Sequence, residues 1–540
     1  MDKRALLGII LSVLVLIIYQ QFINYYYGPP PAENIAPSSG KSDAEKSPSP
    51  PAAAPPPATG APASAAMSKP TPGQPGREIK IETENYLAVF TTEGARLKSF
   101  KFKKFRASAD EKSAPFEIVS TAPGVPLPLG VRLQTAPPID DGSLIYSVQG
   151  SDLKLSGDAK GSLVFHGQTA EGAVITKALT FSGTTYSIAL QVQAKAADGS
   201  ALAPELLLTE KADHTVANHD APFEGFIALV DNKIKREAPA EAAKGHEFSG
   251  QVAWAGFGHT YFFFALLPEN GAQHQLSVRQ TGGALVAAIQ GPAANGRYTV
   301  FIGPKELDLL QSVGKGIERA IDFGYFGFVS IPFLYVLHFF HRFTASYGVD
   351  IIILTVVIKL LLWPLTHKSM VSMKSMAKLA PQMERLKEKF GNDKEKLNRE
   401  IMDLYKRNGV NPLGGCLPML LQFPVFIGLY NALSTPIELR HAPFLWIRDL
   451  SRPDWESLPF TLGGWHLGVP VLTILMGGSM FLQQWMTPSA GDPNQRKMML
   501  MMPLLFTFMF VSFPAGLTVY WLVNNILSIV QQYWINRADQ

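Results

Sequence analysis

Hydrophobic positions along the 540-residue chain fall into three regimes. The first is a short apolar run, Ala5 to Ile18, preceded by Met1-Asp2-Lys3-Arg4 and followed by Tyr19, Phe22 and Tyr25-Tyr26-Tyr27. The aromatics suit an interfacial belt and no small-x-small cleavage site follows closely. Residues 1–27 therefore read as an uncleaved transmembrane anchor rather than a signal peptide. The second regime, from about Glu78 to Pro304, alternates with a period of two. Arg96-Leu97-Lys98-Ser99-Phe100-Lys101-Phe102 and Thr185-Tyr186-Ser187-Ile188-Ala189-Leu190-Gln191-Val192 are examples, with turn signals at Asp141-Gly142, Asp198-Gly199 and Asn295-Gly296. This predicts a large antiparallel β-sandwich over 78–310.

The third regime begins at Ile321. An aromatic-rich stretch, Ile331 to Arg342, predicts an amphipathic interfacial helix within 321–346. His338 and His341 are spaced i,i+3, but no third ligand is in view, which favours a wet interfacial face over a metal site. A 347–534 core follows, with apolar spans at about 349–366, 413–434, 468–486, 498–512 and 514–534. Met498 to Asn536 is 39 residues without a charge, and as one helix it would measure about 58 Å, twice the hydrocarbon thickness. Phe513-Pro514-Ala515-Gly516 breaks it into a hairpin of two short helices. Met498-Met499, Met501-Met502 and Met509 offer an adaptable apolar surface, or ordinary lipid-facing packing.

Composition sharpens this picture. Charged residues make up 17% of the chain against a globular norm of about 25%, and 47% is hydrophobic. Gly28 to Gly76 contains 14 prolines and cannot bury a core, so 28–77 reads as a disordered tether. The net charge of +4 gives no argument for specific nucleic acid binding. Cys416 is the sole cysteine, which rules out an internal disulfide. His214, His219, His246 and His259 lack metal spacing, and neither Gly-x-Ser-x-Gly nor a nucleotide-binding Gly-x-x-x-x-Gly-Lys-Ser/Thr occurs. No catalytic residue, cofactor or metal is expected.

Loop charges set an orientation. Thr366 to Pro412 carries eleven Lys/Arg, whereas Thr435 to Gly464 carries three. The positive-inside rule puts the former, Arg496-Lys497 and both termini in the cytoplasm, with six transmembrane helices and with residues about 28–347 outside, in the periplasm of a two-membrane cell. Within the basic loop, 367–411, Met376, Leu379, Met383, Leu386 and Phe390 recur at 3,4,3,4 spacing, and Leu397, Ile401 and Leu404 continue after Gly391-Asn392-Asp393. That predicts a coiled helical hairpin too short to stand alone. Its basic face suits either anionic headgroups or a docking partner.

The chemistry-bearing feature is Lys359, in the run Ile351 to Leu365. A cation near mid-span costs about 2.5–3.5 kcal/mol on insertion scales, and no acidic residue lies within a helical turn. Snorkelling would require its ammonium to climb roughly two turns in either direction, so a wet, protein-lined space is favoured. Thr355 shares its face at i,i+4. Trp521, Asn524, Asn525, Ser528 and Gln532 form one stripe on the last span, and Gln422 lies in the third. Together these fit a hydrated cavity, or alternatively interhelical hydrogen-bond glue.

Several motifs carry a resemblance. They are Asn411-Pro412-Leu413-Gly414-Gly415-Cys416-Leu417-Pro418 with Gln422-Phe423-Pro424-Val425-Phe426, and Trp363-Pro364-Leu365-Thr366. Phe513-Pro514-Ala515-Gly516-Leu517 with Tyr520-Trp521 and Gln531-Gln532, Trp254-Ala255-Gly256 with Tyr261-Phe262, and Gly303-Pro304-Lys305 complete the set. In order and spacing the chain resembles the YidC membrane protein insertases of Gram-negative bacteria over essentially its full length. The resemblance implies an insertase and chaperone of the bacterial inner membrane, not a bond-breaking enzyme. A substrate helix would enter a hydrophilic groove open to cytoplasm and lipid, lined by Lys359, Thr355, Gln422, Tyr520, Trp521, Asn524, Asn525 and Ser528. Lys359 stands where the family usually has arginine; it keeps the charge without the planar fork. The hairpin, with Met383, Leu386, Lys387, Phe390, Leu397 and Tyr405, would capture substrate. Implied partners are nascent membrane proteins with short acidic translocated tails, the Sec translocon, the lipid bilayer, and the ribosome or signal recognition machinery at the hairpin. The competing reading is a secondary transporter or channel for an anionic small molecule, against which the spans show no inverted repeat and no paired acidic coupling residues.

Overall fold

The computed structural model describes residues 76–537, apart from 111, 120, 123, 212–222, 270–272, 291–295, 411–416, 463–464 and 488–492. The expected anchor, nearly all of the tether and the Asn411–Cys416 part of the third-span motif lie outside the described residues.

The alternating segment forms two packed sheets. The smaller has five strands, 115–117, 96–106, 86–91, 78–82 and 153–154, antiparallel except where Ile81 meets Leu153. The larger has fifteen and is organised around one long strand, His246–His259. Its first half pairs with Gln273–Thr281, and its second half with Phe262–Pro268 and Phe223–Val230. Gly256 makes this crossing feasible: a Cβ there would sit 2.2 Å from the Phe264 carbonyl oxygen. Inward residues of the two sheets interdigitate as aromatic pairs. Phe262 stacks on Phe116 at 4.4 Å and on Phe102 at 4.7 Å between ring centroids. The same core takes in Leu307, Leu310, Ile317, Ala320 and Phe323, so the sandwich's packing continues past residue 310.

An ion network is buried inside this core. Lys177 falls at an inward position of strand Val174–Ser182 and is 1% exposed. Its Nζ lies 2.6 Å from Asp141 Oδ2 and also donates to the carbonyls of Gly94 (2.7 Å) and Leu129 (2.9 Å). Asp141 accepts in addition from Arg96 (2.9 Å), the Val131 amide (3.0 Å) and the Tyr146 hydroxyl (3.0 Å). The expected turn at Asp141-Gly142 exists as a short 3-10 turn, Asp141–Ser143. Its aspartate nevertheless points inward as a counter-ion, because two buried cations, one from each sheet, need one.

Eight longer helices follow. They are α1 (Gly327–Thr344), α2 (Tyr347–Lys378), α3 (Ala380–Phe390), α4 (Lys394–Arg407), α5 (Leu417–Ser434), α6 (Val471–Met486), α7 (Pro493–Phe510) and α8 (Ala515–Arg537). Among the described residues, α2 alone is long and apolar enough by length and composition to cross a membrane, with Met499–Phe510 a shorter apolar helix. The first apolar span, expected to end near 366, belongs to a helix that runs unbroken to Lys378. Hydropathy marks where greasy sequence stops, not where a helix does. Nothing between 366 and 378 breaks the backbone ladder, and Lys374 Nζ ties the extension to the Ile535 carbonyl of α8 at 3.0 Å. Met376 and Leu379 therefore precede the hairpin, whose first helix starts with a proline in its first turn. Asp393 caps the second, accepting from the Lys396 amide at 3.0 Å. Of the break expected at Phe513–Gly516, Phe513 and Pro514 fall between α7 and α8, while Ala515 and Gly516 open α8.

The loop joining α5 to α6 supplies caps to other elements. Asp454, 1% exposed, accepts from the Leu472 amide (2.8 Å) and the Thr473 hydroxyl (2.7 Å) at the start of α6. Asp454→Ala should lower stability by about 1–2 kcal/mol through the lost cap. Thermal unfolding of the detergent-solubilised protein checks this, and an unchanged midpoint would refute it.

Candidate functional site

Lys359 sits on the inner face of α2 and is 7% exposed. Its ammonium donates to Ser528 Oγ on α8 at 2.6 Å. Ser528 in turn donates to the Asn524 carbonyl at 2.7 Å, so its acceptor lone pair is what meets the cation. An ammonium has three N–H donors. Among the described residues no carboxylate pairs with this one, which makes it a cation available to an incoming anion.

The remaining expected residues divide into distinct groups. Thr355 is buried on the Lys359 face but donates to its own helix at the Ile351 carbonyl, 2.6 Å away, and makes no bridge between helices. Gln422 of α5 donates through Nε2 to the Tyr520 hydroxyl at 2.5 Å. Trp521 lies in an aromatic nest with Phe426, Phe506 and Phe510, at centroid distances of 5.4, 6.5 and 5.1 Å. Asn525 turns to α6, donating to Ser479 Oγ at 3.0 Å, and Gln532 reaches the Met486 carbonyl at 3.3 Å. The single stripe expected on the last span is thus shared between two neighbours. Ser528 and Gln531 look towards α2, with Gln531 Nε2 donating to Thr366 Oγ1 at 3.2 Å, whereas Asn525 and Gln532 look towards α6. Residues three or four apart lie on adjacent lines of a helix, and two packed partners divide them. Gln531, noted in the sequence only as part of a motif, and Ser479, which was not singled out, complete these contacts. A lone serine after Gly477-Gly478 in an apolar run was the available signal.

The flanking surface is apolar. Leu360 and Leu361 on α2, and Leu420 and Phe423 on α5, are more than half exposed. A separate open groove, lined by Ile474, Met501, Leu504, Leu505, Phe508 and two threonines, runs between α6 and α7 and contains none of the expected site residues. Met501 and Met502 line this groove, and Met509 is exposed without lining it.

In the hairpin, Tyr405 is buried and donates to Met383 Sδ at 3.3 Å, while Lys389 and Lys396 lie 5.3 and 5.0 Å from the centre of the Phe390 ring. Leu386, Lys387 and Leu397 are half-buried. On α1 the two histidines each meet a carboxylate, which revises the expectation of a simply wet face. His338 Nε2 lies 3.0 Å from Glu438 Oε1, and His341 Nδ1 lies 2.7 Å from Asp350 Oδ2. Asp350 lies nine residues on from His341, near the start of α2, whereas Glu438 comes from the distant α5–α6 loop. Among the described residues no group of His, Cys, Asp and Glu is arranged to hold a metal ion.

Two family profiles match the chain: "YidC periplasmic domain" over residues 78–336 and "60Kd inner membrane protein" over residues 339–540. A curated membrane protein insertase YidC from Syntrophus aciditrophicus is 39% identical over 558 aligned positions, covering 99% of this chain and 100% of the relative. Another from Geotalea daltonii is 38% identical and covers 100% of this chain and 99% of that protein. A crystal structure of an active YidC insertase with its first transmembrane domain resolved aligns over 85% of this chain at 18% identity, with a TM-score of 0.38. The chain belongs to the YidC family of inner membrane proteins, and it carries that family's periplasmic domain.

Proposed function

We propose that this protein is a membrane protein insertase and chaperone that takes nascent membrane proteins into the bacterial inner membrane. The observation that carries this reading is Lys359: a cation within a long apolar helix, held by Ser528 and paired with no described carboxylate. Such a charge attracts an acidic residue in a short translocated tail. Burial of the substrate's apolar span then drives insertion, so no nucleotide chemistry is required. Gln422, Tyr520 and the α8 amides are the polar side of the path, and the exposed faces of α2 and α5 are its apolar side. The hairpin, rich in lysine and arginine, serves as the cytoplasmic capture element and as the docking point for the ribosome or signal recognition machinery. The protein acts alone or beside the Sec translocon.

The topology that goes with this reading has six spans, both termini in the cytoplasm and the sandwich in the periplasm. Its segments are an anchor over 1–27, a tether over 28–77, the sandwich over 78–310, an interfacial helix over 321–346 and the core over 347–534, with the basic loop 367–411 taking in the end of α2 and the hairpin of α3 and α4. The full-length relatives lend no support to a transporter of small anions.

The test is reconstitution. Purified protein in liposomes receives a single-span substrate with an acidic tail, and protease protection of the tail is measured. Protection well above that in protein-free liposomes is expected; equal protection in both would refute the insertase reading.

A further inference from the structure

The loop between α5 and α6 joins the sandwich to the helical core. Ile437 is buried in the sandwich's hydrophobic cluster, and Leu439, two residues on, in that of the helices. The next residue, Arg440, is 8% exposed. Its guanidinium lies 5.5 Å from the ring centre of Phe116, 5.9 Å from Tyr261 and 5.6 Å from Phe262. Its Nη2 also donates to the Arg106 carbonyl at 2.7 Å. All four of these residues belong to the sandwich. A guanidinium is weakly hydrated and favours aromatic faces, and such contacts strengthen when water is excluded.

The same loop then fixes two helices. The Arg452 carbonyl accepts from the Ala515 amide at 2.7 Å, and the Leu450 carbonyl accepts from the Gly516 amide at 2.9 Å. These are N-terminal amides of α8 that have no partner within the helix. Asp454, two residues further on, caps α6. Helix α8 carries Tyr520 and Ser528, and α6 carries Ser479, so the loop holds the ends of both helices that build the site around Asn525.

We infer that Arg440 is a positioning residue through which the sandwich sets the N-terminal ends of α6 and α8. The sandwich is therefore a brace for the core, and Arg440 is its point of grip. The structural part of this proposal stands apart from the insertase reading; only its activity measurement rests on it.

Hydrogen–deuterium exchange on the full-length protein in nanodiscs tests it directly, because the amides of Ala515 and Gly516 report the bonds in question. Arg440→Ala should speed exchange about tenfold both at 115–117 and at 515–520, and Arg440→Lys should restore most of the protection. Phe262→Leu, which trims the box from the other side, should loosen the same two segments, and it serves in place of Arg440→Ala if that variant does not fold. Faster exchange at 115–117 with none at 515–520 would limit Arg440 to docking the sandwich and overturn the proposal, as would no change at either. Insertion of the acidic-tailed substrate should fall with Arg440→Ala and recover with Arg440→Lys. If wild type itself inserts nothing, the insertase reading fails while the exchange result still decides the role of Arg440.

Discussion

Replacing Lys359 by alanine should slow insertion of an acidic-tailed substrate about tenfold, the scale of one charge-assisted hydrogen bond lost. Lys359→Arg should stay within about threefold of wild type, since the charge is kept and a guanidinium also reaches Ser528. A substrate whose tail has its acids changed to amides should respond weakly to either change. The structure says why this reads electrostatics rather than misfolding. Ser528 Oγ keeps its bond to the Asn524 carbonyl when the ammonium is gone, so no buried hydroxyl is orphaned. Rates from proteoliposomes for the three proteins and both substrates make the comparison. Equal insertion by alanine and wild type would remove Lys359 from the mechanism.

The second large effect is expected far from the helices. Asp141→Asn removes the carboxylate that offsets Lys177 inside the sandwich and one of the two carboxylates on Arg96, which keeps Asp140 at 2.6 Å. Breaking a buried ion network in this way costs about 3–5 kcal/mol. For a domain of this size that corresponds to a fall in melting temperature of roughly 10 °C. The pH dependence has a definite sign. Burial opposes the Asp141 carboxylate, but Lys177 and Arg96 outweigh it and hold its pKa below the ordinary carboxylate range. Its contribution to stability is therefore complete above the unfolded-state value of about 3.9 and is lost as pH falls through the lower folded value. Wild type should lose this contribution only in acid below about pH 4, and Asp141→Asn should lack that part of the slope. Calorimetric melting of both proteins between pH 3 and pH 7 checks the sign; an equally stable variant at pH 7 would show that the network is dispensable.

Both effects lie on features that differ in how far the sequence discloses them. Strands such as Ser187–Lys195 alternate so regularly that their inward faces could be read in advance. Lys359 was conspicuous because charge is rare in an apolar run. The ion network was half visible: Lys177 occupies the same phase as Ile175, Leu179 and Phe181, an inward phase for a cation. Its counter-ion was hidden because Asp141-Gly142 also spells a turn. Arg440 and Asp454 were not legible. Each is an ordinary charged residue in a loop, and what sets it apart is an aromatic box or a helix end supplied by chain far along the sequence. The splitting of the α8 stripe was hidden for a related reason, since a helical period gives the faces of one helix but not which neighbour takes each face.

The unbroken length of α2 has a mechanical consequence. From Lys359 to Lys378 the chain is a single rod of about 28 Å, and the hairpin is mounted on its end. A load borne by the hairpin reaches Lys359 as a tilt or twist of that rod, with the interior Pro364 as the one point where its backbone ladder is interrupted. The bond from Lys374 to the Ile535 carbonyl couples the same movement to α8, so both partners of the Lys359–Ser528 contact would feel it together. Occupancy of the hairpin would then be sensed inside the core before any substrate arrives there.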